Sequence, residues 1–90
     1  MHAVVGTVTI RDLERGLPVL RDEIVPRVKA TPGFVGAYWL RSDTNIGMSM
    51  IVLDSEDAAR ALARRFEAEG PPTDAVTLNT IEVREIVAHA

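Results

Sequence analysis

Two adjacent aromatic residues, Tyr38 and Trp39, a pair of methionines, Met48 and Met50, and a single strand-bound amide, Asn79, are the side chains best suited to grip an organic molecule. Together they offer rings to stack on, soft apolar groups that adapt to a ligand's shape, and an amide that can hold a hydroxyl. Each also has a plainer use. Tyr38 and Trp39 must point to opposite faces of a strand, so at most one enters a given cavity. Trp39 reads as an anchor in a subunit interface, with a ligand wall as the alternative, and Tyr38 as a ring packed under helices with its hydroxyl at the edge. Met48 and Met50 share one strand face and read as flexible core filler, or else as the wall of an adaptable apolar pocket. Asn79 is out of place in a strand by propensity. It faces water or, if it points inward, orients a ligand hydroxyl.

Other chemistries have less to work with. His2 and His89 fall at the start of the first strand and the end of the last, which the topology below makes neighbours. Two histidines without a third ligand make a weak metal site, and chain ends fray, so no metal is expected. The same two terminal histidines supply no Ser-His-Asp set. Glu82, Arg84 and Glu85 read as a solvated strand rim, and Asp54, Glu56 and Asp57 as helix-cap chemistry. The glycines are scattered, so no phosphate-cradling loop is present and no cofactor is expected.

The elements that would carry these residues are legible from periodicity. Residues 3 to 10 are dominated by β-branched types and read as a strand, with Val4, Gly6, Val8 and Ile10 on one face. Arg11 to Arg15 reads as a polar connection, and Gly16-Leu17-Pro18 as a helix start, since proline is tolerated in a first turn. Leu17, Leu20, Ile24 and Val28 then form one apolar stripe. Pro26 interrupts it, which predicts a kink between Asp22 and Pro26 because its ring clashes with the Asp22 carbonyl and its N–H is missing. Thr31-Pro32-Gly33 turns the chain into strands over Phe34 to Arg41 and Ile46 to Leu53, joined by the turn cluster Ser42-Asp43-Thr44-Asn45. Asp54 or Ser55 caps a second helix with Ala59, Leu62, Ala63 and Phe66 on its buried side, ended by Gly70 and Pro71-Pro72. Val76 to Ala88 reads as the last strand, with confused parity that a bulge near Glu85 would explain.

The order β-α-β-β-α-β is that of the ferredoxin-like split βαβ unit, an α+β fold. Right-handed crossovers place both helices on one face of a four-stranded antiparallel sheet. The strands nevertheless carry apolar residues at both parities, and 47% of the chain is hydrophobic, so the uncovered face is expected to meet a second copy in a two-fold homodimer. Ninety residues make one domain, 1–90. The net charge of −3, with acids and bases interleaved, leaves no cationic footprint for nucleic acid; Arg64-Arg65 alone is not one. No apolar run approaches the roughly 20 residues of a membrane span. The absence of cysteine fits a reducing compartment, and Met1-His2-Ala3-Val4-Val5 lacks a basic leader, so a cytoplasmic protein without a signal peptide is expected.

Several segments carry a family resemblance: Leu17-Pro18-Val19, Val25-Pro26, Thr31-Pro32-Gly33-Phe34-Val35-Gly36 and Asp54-Ser55-Glu56-Asp57-Ala58-Ala59. Together they resemble the dimeric α/β-barrel superfamily, and within it the antibiotic biosynthesis monooxygenase-like proteins, including uncharacterised actinobacterial members. The likeness runs over nearly the whole chain and contains no catalytic signature. It implies a homodimer whose two sheets pack into a barrel, with a pocket between sheet and helices. Some members of that group oxidise quinols or polyphenols without a cofactor, and others degrade heme with an Asn on the first strand and a Trp and a His on helical segments. Here the first strand has no Asn and the second helix has neither Trp nor His. The expectation is therefore a small homodimer that binds an apolar or aromatic ligand. The alternatives are a cofactor-independent monooxygenase and a non-catalytic interaction module.

Overall fold

In the computed structural model, which describes residues 1–90, the chain runs β1 (His2–Ile10), α1 (Leu13–Val19), a π-helical turn (Leu20–Ile24), α2 (Val25–Lys29), β2 (Phe34–Arg41), β3 (Ile46–Leu53), α3 (Glu56–Glu69) and β4 (Val76–Glu85). The strands form one sheet in the order β2-β3-β1-β4, with every neighbouring pair antiparallel. The helices cover one face. This is the ferredoxin-like α+β fold. No helix is long and apolar enough to cross a membrane.

The first helical stretch begins earlier than the sequence suggests. Asp12 caps α1 by accepting the Arg15 N–H at 3.2 Å, so the residues read as a polar connection are its first turn. Pro18 consequently lies inside α1. The disturbance expected from Pro26 takes the form of the π-helical turn. The Val25 N–H donates to the Leu20 carbonyl, five residues back, and Pro26 has no N–H to give Asp22. The wider turn absorbs the missing bond without ending the helical path, and Val28 beyond it is buried.

Gly33 makes the following turn with φ 83°, and a Cβ there would stand 2.5 Å from Asp54 Oδ1, so both backbone and space demand glycine. The Asp54 N–H donates to the Gly33 carbonyl at 2.8 Å, tying the start of β2 to the end of β3. α3 is capped as expected: Ser55 Oγ accepts the Ala58 N–H at 3.1 Å. Ser55→Ala is expected to lower stability by about 1 kcal/mol, the usual cost of an N-cap. Urea melts at a fixed protein concentration would read this as a lower midpoint with an unchanged slope.

Cross-strand register assigns each side chain to a face. Val4, Gly6, Val8 and Ile10 of β1, Gly47, Ser49, Ile51 and Leu53 of β3, Ala37, Trp39 and Arg41 of β2, and Val76, Leu78, Ile81 and Val83 of β4 lie towards the helices. Ala59, Leu62 and Ala63 of α3 pack on Val4, Ile51 and Leu53, and Val28 joins the same core. Small alanines let α3 sit close to the sheet.

Three expectations about the strands are corrected. The irregularity in β4 falls at Asn79, between the pairs Thr7↔Thr80 and Val8↔Leu78, rather than near Glu85. β4 ends at Glu85, and the Ile86 N–H donates to the Met1 carbonyl beyond it. In β2 the register shifts between Phe34 and Gly36, which leaves Val35 exposed and sends Phe34 to the core. The two β2 faces are also exchanged relative to expectation: Trp39 lies under the helices and Tyr38, 68% exposed, lies on the open side.

Candidate functional site

The two halves of the helical layer treat the sheet differently. α3 approaches β4, β1 and β3 closely, whereas α1 and the π-helical turn stand off the strands. Gly6, Gly47 and Ser49 occupy helix-facing positions in the middle of the sheet beneath them. Ser49 leans over Gly6, and Val8 and Ile10 lean over Gly47, so the floor there is low but filled, and the apolar stripe of α1 spans it without reaching it. The result is a cavity of about 1130 Å³ between the sheet and the helices. That is somewhat above the roughly 300–1,000 Å³ usual for small-molecule sites.

Apolar groups supply most of the walls. Leu17, Leu20 and Ile24 form the roof, Val8, Ile10 and Leu78 line the sheet side, and Trp39 and Phe66 close two flanks. Leu17, Leu20, Ile24, Trp39 and Phe66 are all only partly buried, so their unsatisfied apolar surface is turned into this space. Gly47 is covered on its helix-facing side by its cross-strand neighbour: a Cβ there would meet Val8 Cγ2 at 2.8 Å. The Gly6 position is nearly as close, with Ser49 Oγ 3.1 Å from where its Cβ would be. Ser49 therefore lies over the Gly6 backbone, and its hydroxyl is the polar side chain at the centre of the floor.

Charge is confined to the rim. Arg21, Arg27, Arg41 and Arg65 border the cavity, and Glu69 is the one carboxylate among its lining residues. Arg65 Nε lies 3.8 Å from Glu69. The guanidiniums of Arg21, Arg27 and Arg41 have no carboxylate within 4.0 Å and no side-chain hydrogen bond.

The residues singled out from the sequence do not converge. Trp39 and Met48 border the cavity. By register Met48 belongs to the open face, opposite Leu40 and Thr7, and it is 44% exposed. Met50 and Tyr38 pair with each other on that open face and are exposed, so neither methionine serves as core filler. Asn79 is also outside the cavity: its amide donates to Thr9 Oγ1 at 3.0 Å on the solvent side of the β4 irregularity. The residues the sequence reading passed over are Gly6, Gly47, Ser49 and the three arginines. The signal for the first three was present, since small residues at core parity in a strand mark the close approach of another group.

His2 lies beside α3 at the start of β1, opposite Glu85 near the end of β4. Its Nε2 is 4.0 Å from Glu56, and its Nδ1 is buried without a partner. Glu56 is held below the usual carboxylate range, first by the hydrogen bond from Arg60 and its charge, with a smaller contribution from His2. No group of three or more metal-ligating side chains forms.

No family model matches the sequence, and no curated protein does. Among solved structures, the chain is similar to the heme-degrader MhuD from Mycobacterium tuberculosis, determined with two hemes bound in its active site. The two share 23% sequence identity and superpose with a TM-score of 0.58 over 97% of this chain and 98% of that one. A likeness at that identity is one of fold, and it extends over the whole ferredoxin-like domain.

Proposed function

We propose that this chain works in the cytoplasm as a small homodimeric α/β-barrel protein that binds a small apolar or aromatic ligand beneath α1. The observation that carries this reading is the cavity itself. A well-packed domain closes its interior to about the density of an organic crystal. This one leaves about 1130 Å³ open under Leu17, Leu20 and Ile24, beside the single tryptophan. Shape and wall chemistry both favour a ligand that is mostly apolar and able to lie against Trp39.

Binding is favoured over catalysis by what the walls lack. A cofactor-independent oxygenase must take a proton from its substrate before oxygen can react, so it needs a base within reach of the ring. The lining offers Glu69, which sits at the last residue of α3 and has Arg65 for a neighbour, and the Ser49 hydroxyl. Heme fits less well. The lining contains no histidine, cysteine or tyrosine, the usual residues that hold heme iron.

The dimer rests on the opposite face of the sheet. Tyr38, Leu40, Ile46, Met48 and Met50 all point away from the helices and are exposed. They gather on β2 and β3. The β1–β4 half of the same face is polar, with Thr7 bonded to Thr80 at 2.6 Å and Glu82 paired with Arg84. An apolar patch rimmed by polar groups is the usual anatomy of a subunit interface.

Trp39 makes the ligand reading measurable. Titration with neutral polycyclic aromatics is expected to shift or quench its emission saturably, without oxygen uptake. Unchanged emission across such compounds, at concentrations up to their solubility, would remove the basis for a binding cavity.

A further inference from the structure

Resting on the reading of the cavity as a ligand site, we infer that its natural ligand is a polycyclic aromatic carboxylate, with its rings under α1 and its acid group at the arginine rim. The chain as a whole is acidic, at −3, yet the mouth of its one large apolar cavity is cationic. Arg21 comes from the π-helical turn, Arg27 from α2 and Arg41 from the end of β2, so three separate stretches of the fold each contribute an arginine to the cavity's lining. Elsewhere Arg15, Arg60 and Arg84 each find a carboxylate, with Asp74, Glu56 and Glu82 respectively. Arg21, Arg27 and Arg41 find none, as do Arg11 and Arg64 outside the cavity.

That arrangement suits one class of molecule. A neutral aromatic would bury its rings and gain nothing from the rim. A phosphate or small sugar acid would satisfy the rim and leave the apolar roof and floor wet. An aromatic acid uses both, because a guanidinium fork matches the two oxygens of a carboxylate and retains its charge at any physiological pH. The flat floor, where Gly6, Gly47 and Ser49 replace larger side chains, and the Trp39 flank favour fused rings over a flexible alkyl chain.

The experiment compares 1-pyrenebutyrate with 1-pyrenebutanol, which share ring and chain and differ in charge. Energy transfer from Trp39 to pyrene reports occupancy. The wild-type protein should bind the acid on the order of tenfold more tightly than the alcohol at low salt, as expected for a charge-assisted hydrogen bond. The gap should narrow as salt screens the rim. In the triple variant Arg21→Gln, Arg27→Gln, Arg41→Gln it should close, with the alcohol binding as before. These side chains are exposed, so the variant should keep its fold, which its thermal melt will show. If wild-type protein binds both probes equally, the cavity stands as a site and the acid preference is wrong. If the preference survives in the triple variant, the arginines are not what recognises the acid, and the inference fails. If neither probe binds, the cavity reading falls and this inference falls with it.

Discussion

Met50→Lys is expected to convert the protein from a dimer into monomers at micromolar concentration, raising the dissociation constant by at least about a hundredfold. Met50 lies in β3, an inner strand, with Tyr38 of β2 on one side and Val5 of β1 on the other. It is therefore near the centre of the uncovered face, where a partner's sheet would seal it from water. A two-fold axis places both copies of residue 50 in the same interface, so two ammonium groups would be desolvated at once without carboxylate partners nearby. In the separated subunit the position is 38% exposed, so a lysine there can reach water and the fold of the monomer is not directly challenged. Light scattering or sedimentation would give the mass of each protein. Because a freed sheet face could itself destabilise the chain, Tyr38→Glu serves as a second variant at a position already 68% exposed. A wild-type protein that remains a single subunit at tens of micromolar would overturn the assembly before any variant is made.

The strongest parts of the fold were legible because several local signals agreed. β3 and α3 are examples: a β-branched and apolar run is followed by a serine cap, three acidic residues, a buried stripe with small alanines, and a terminal glycine ahead of two prolines. The beginning of α1 was less clear because Gly16 and Pro18 are typical of a helix start, while the actual cap, Asp12, is one polar residue among several. Pro26 announced a disturbance but not its form, since a π-helical turn and a bend remove the same hydrogen bond.

Facing was the harder problem. Alternation separates Tyr38 and Leu40 from Ala37 and Trp39, and that separation holds in the fold. It cannot say which set lies under the helices when both sets are apolar, as they must be if a second subunit covers the other side. The candidate site inherited that ambiguity: tyrosine, methionines and asparagine were chosen for their chemistry, and most of them lie on the open face. What makes the cavity is the stand-off of α1 and the π-helical turn above a low floor, where Ser49 lies over Gly6 and Val8 over Gly47. A search for reactive groups passes over a space made by the spacing of two layers.

Ser49→Leu tests that idea directly and is expected to abolish ligand binding, by about a hundredfold or more, while leaving stability unchanged or slightly raised. Position 49 faces the helices from the centre of the sheet, between Gly6 on β1 and Trp39 on β2. The serine already lies over the Gly6 backbone, so a longer side chain can only extend upward into the cavity, towards Leu17, Leu20 and Ile24. A leucine there would occupy the space where ligand rings would lie and would meet apolar walls. In a well-packed core the same substitution would overpack and cost roughly 1–3 kcal/mol. Between Ser49 and the helices the cavity leaves room, and burying the added apolar surface gains about 25 cal/mol per Å² against loss of the serine hydroxyl's hydration. Stability and binding should therefore move in opposite directions, a combination that general damage to the fold would not produce. The measurements are a urea melt and a titration of 1-pyrenebutanol followed through Trp39. If binding survives with wild-type affinity, the ligand does not lie between α1 and the sheet. If binding and stability are both lost, the floor is packed more tightly than the cavity requires, and the space beneath α1 is not available to a ligand.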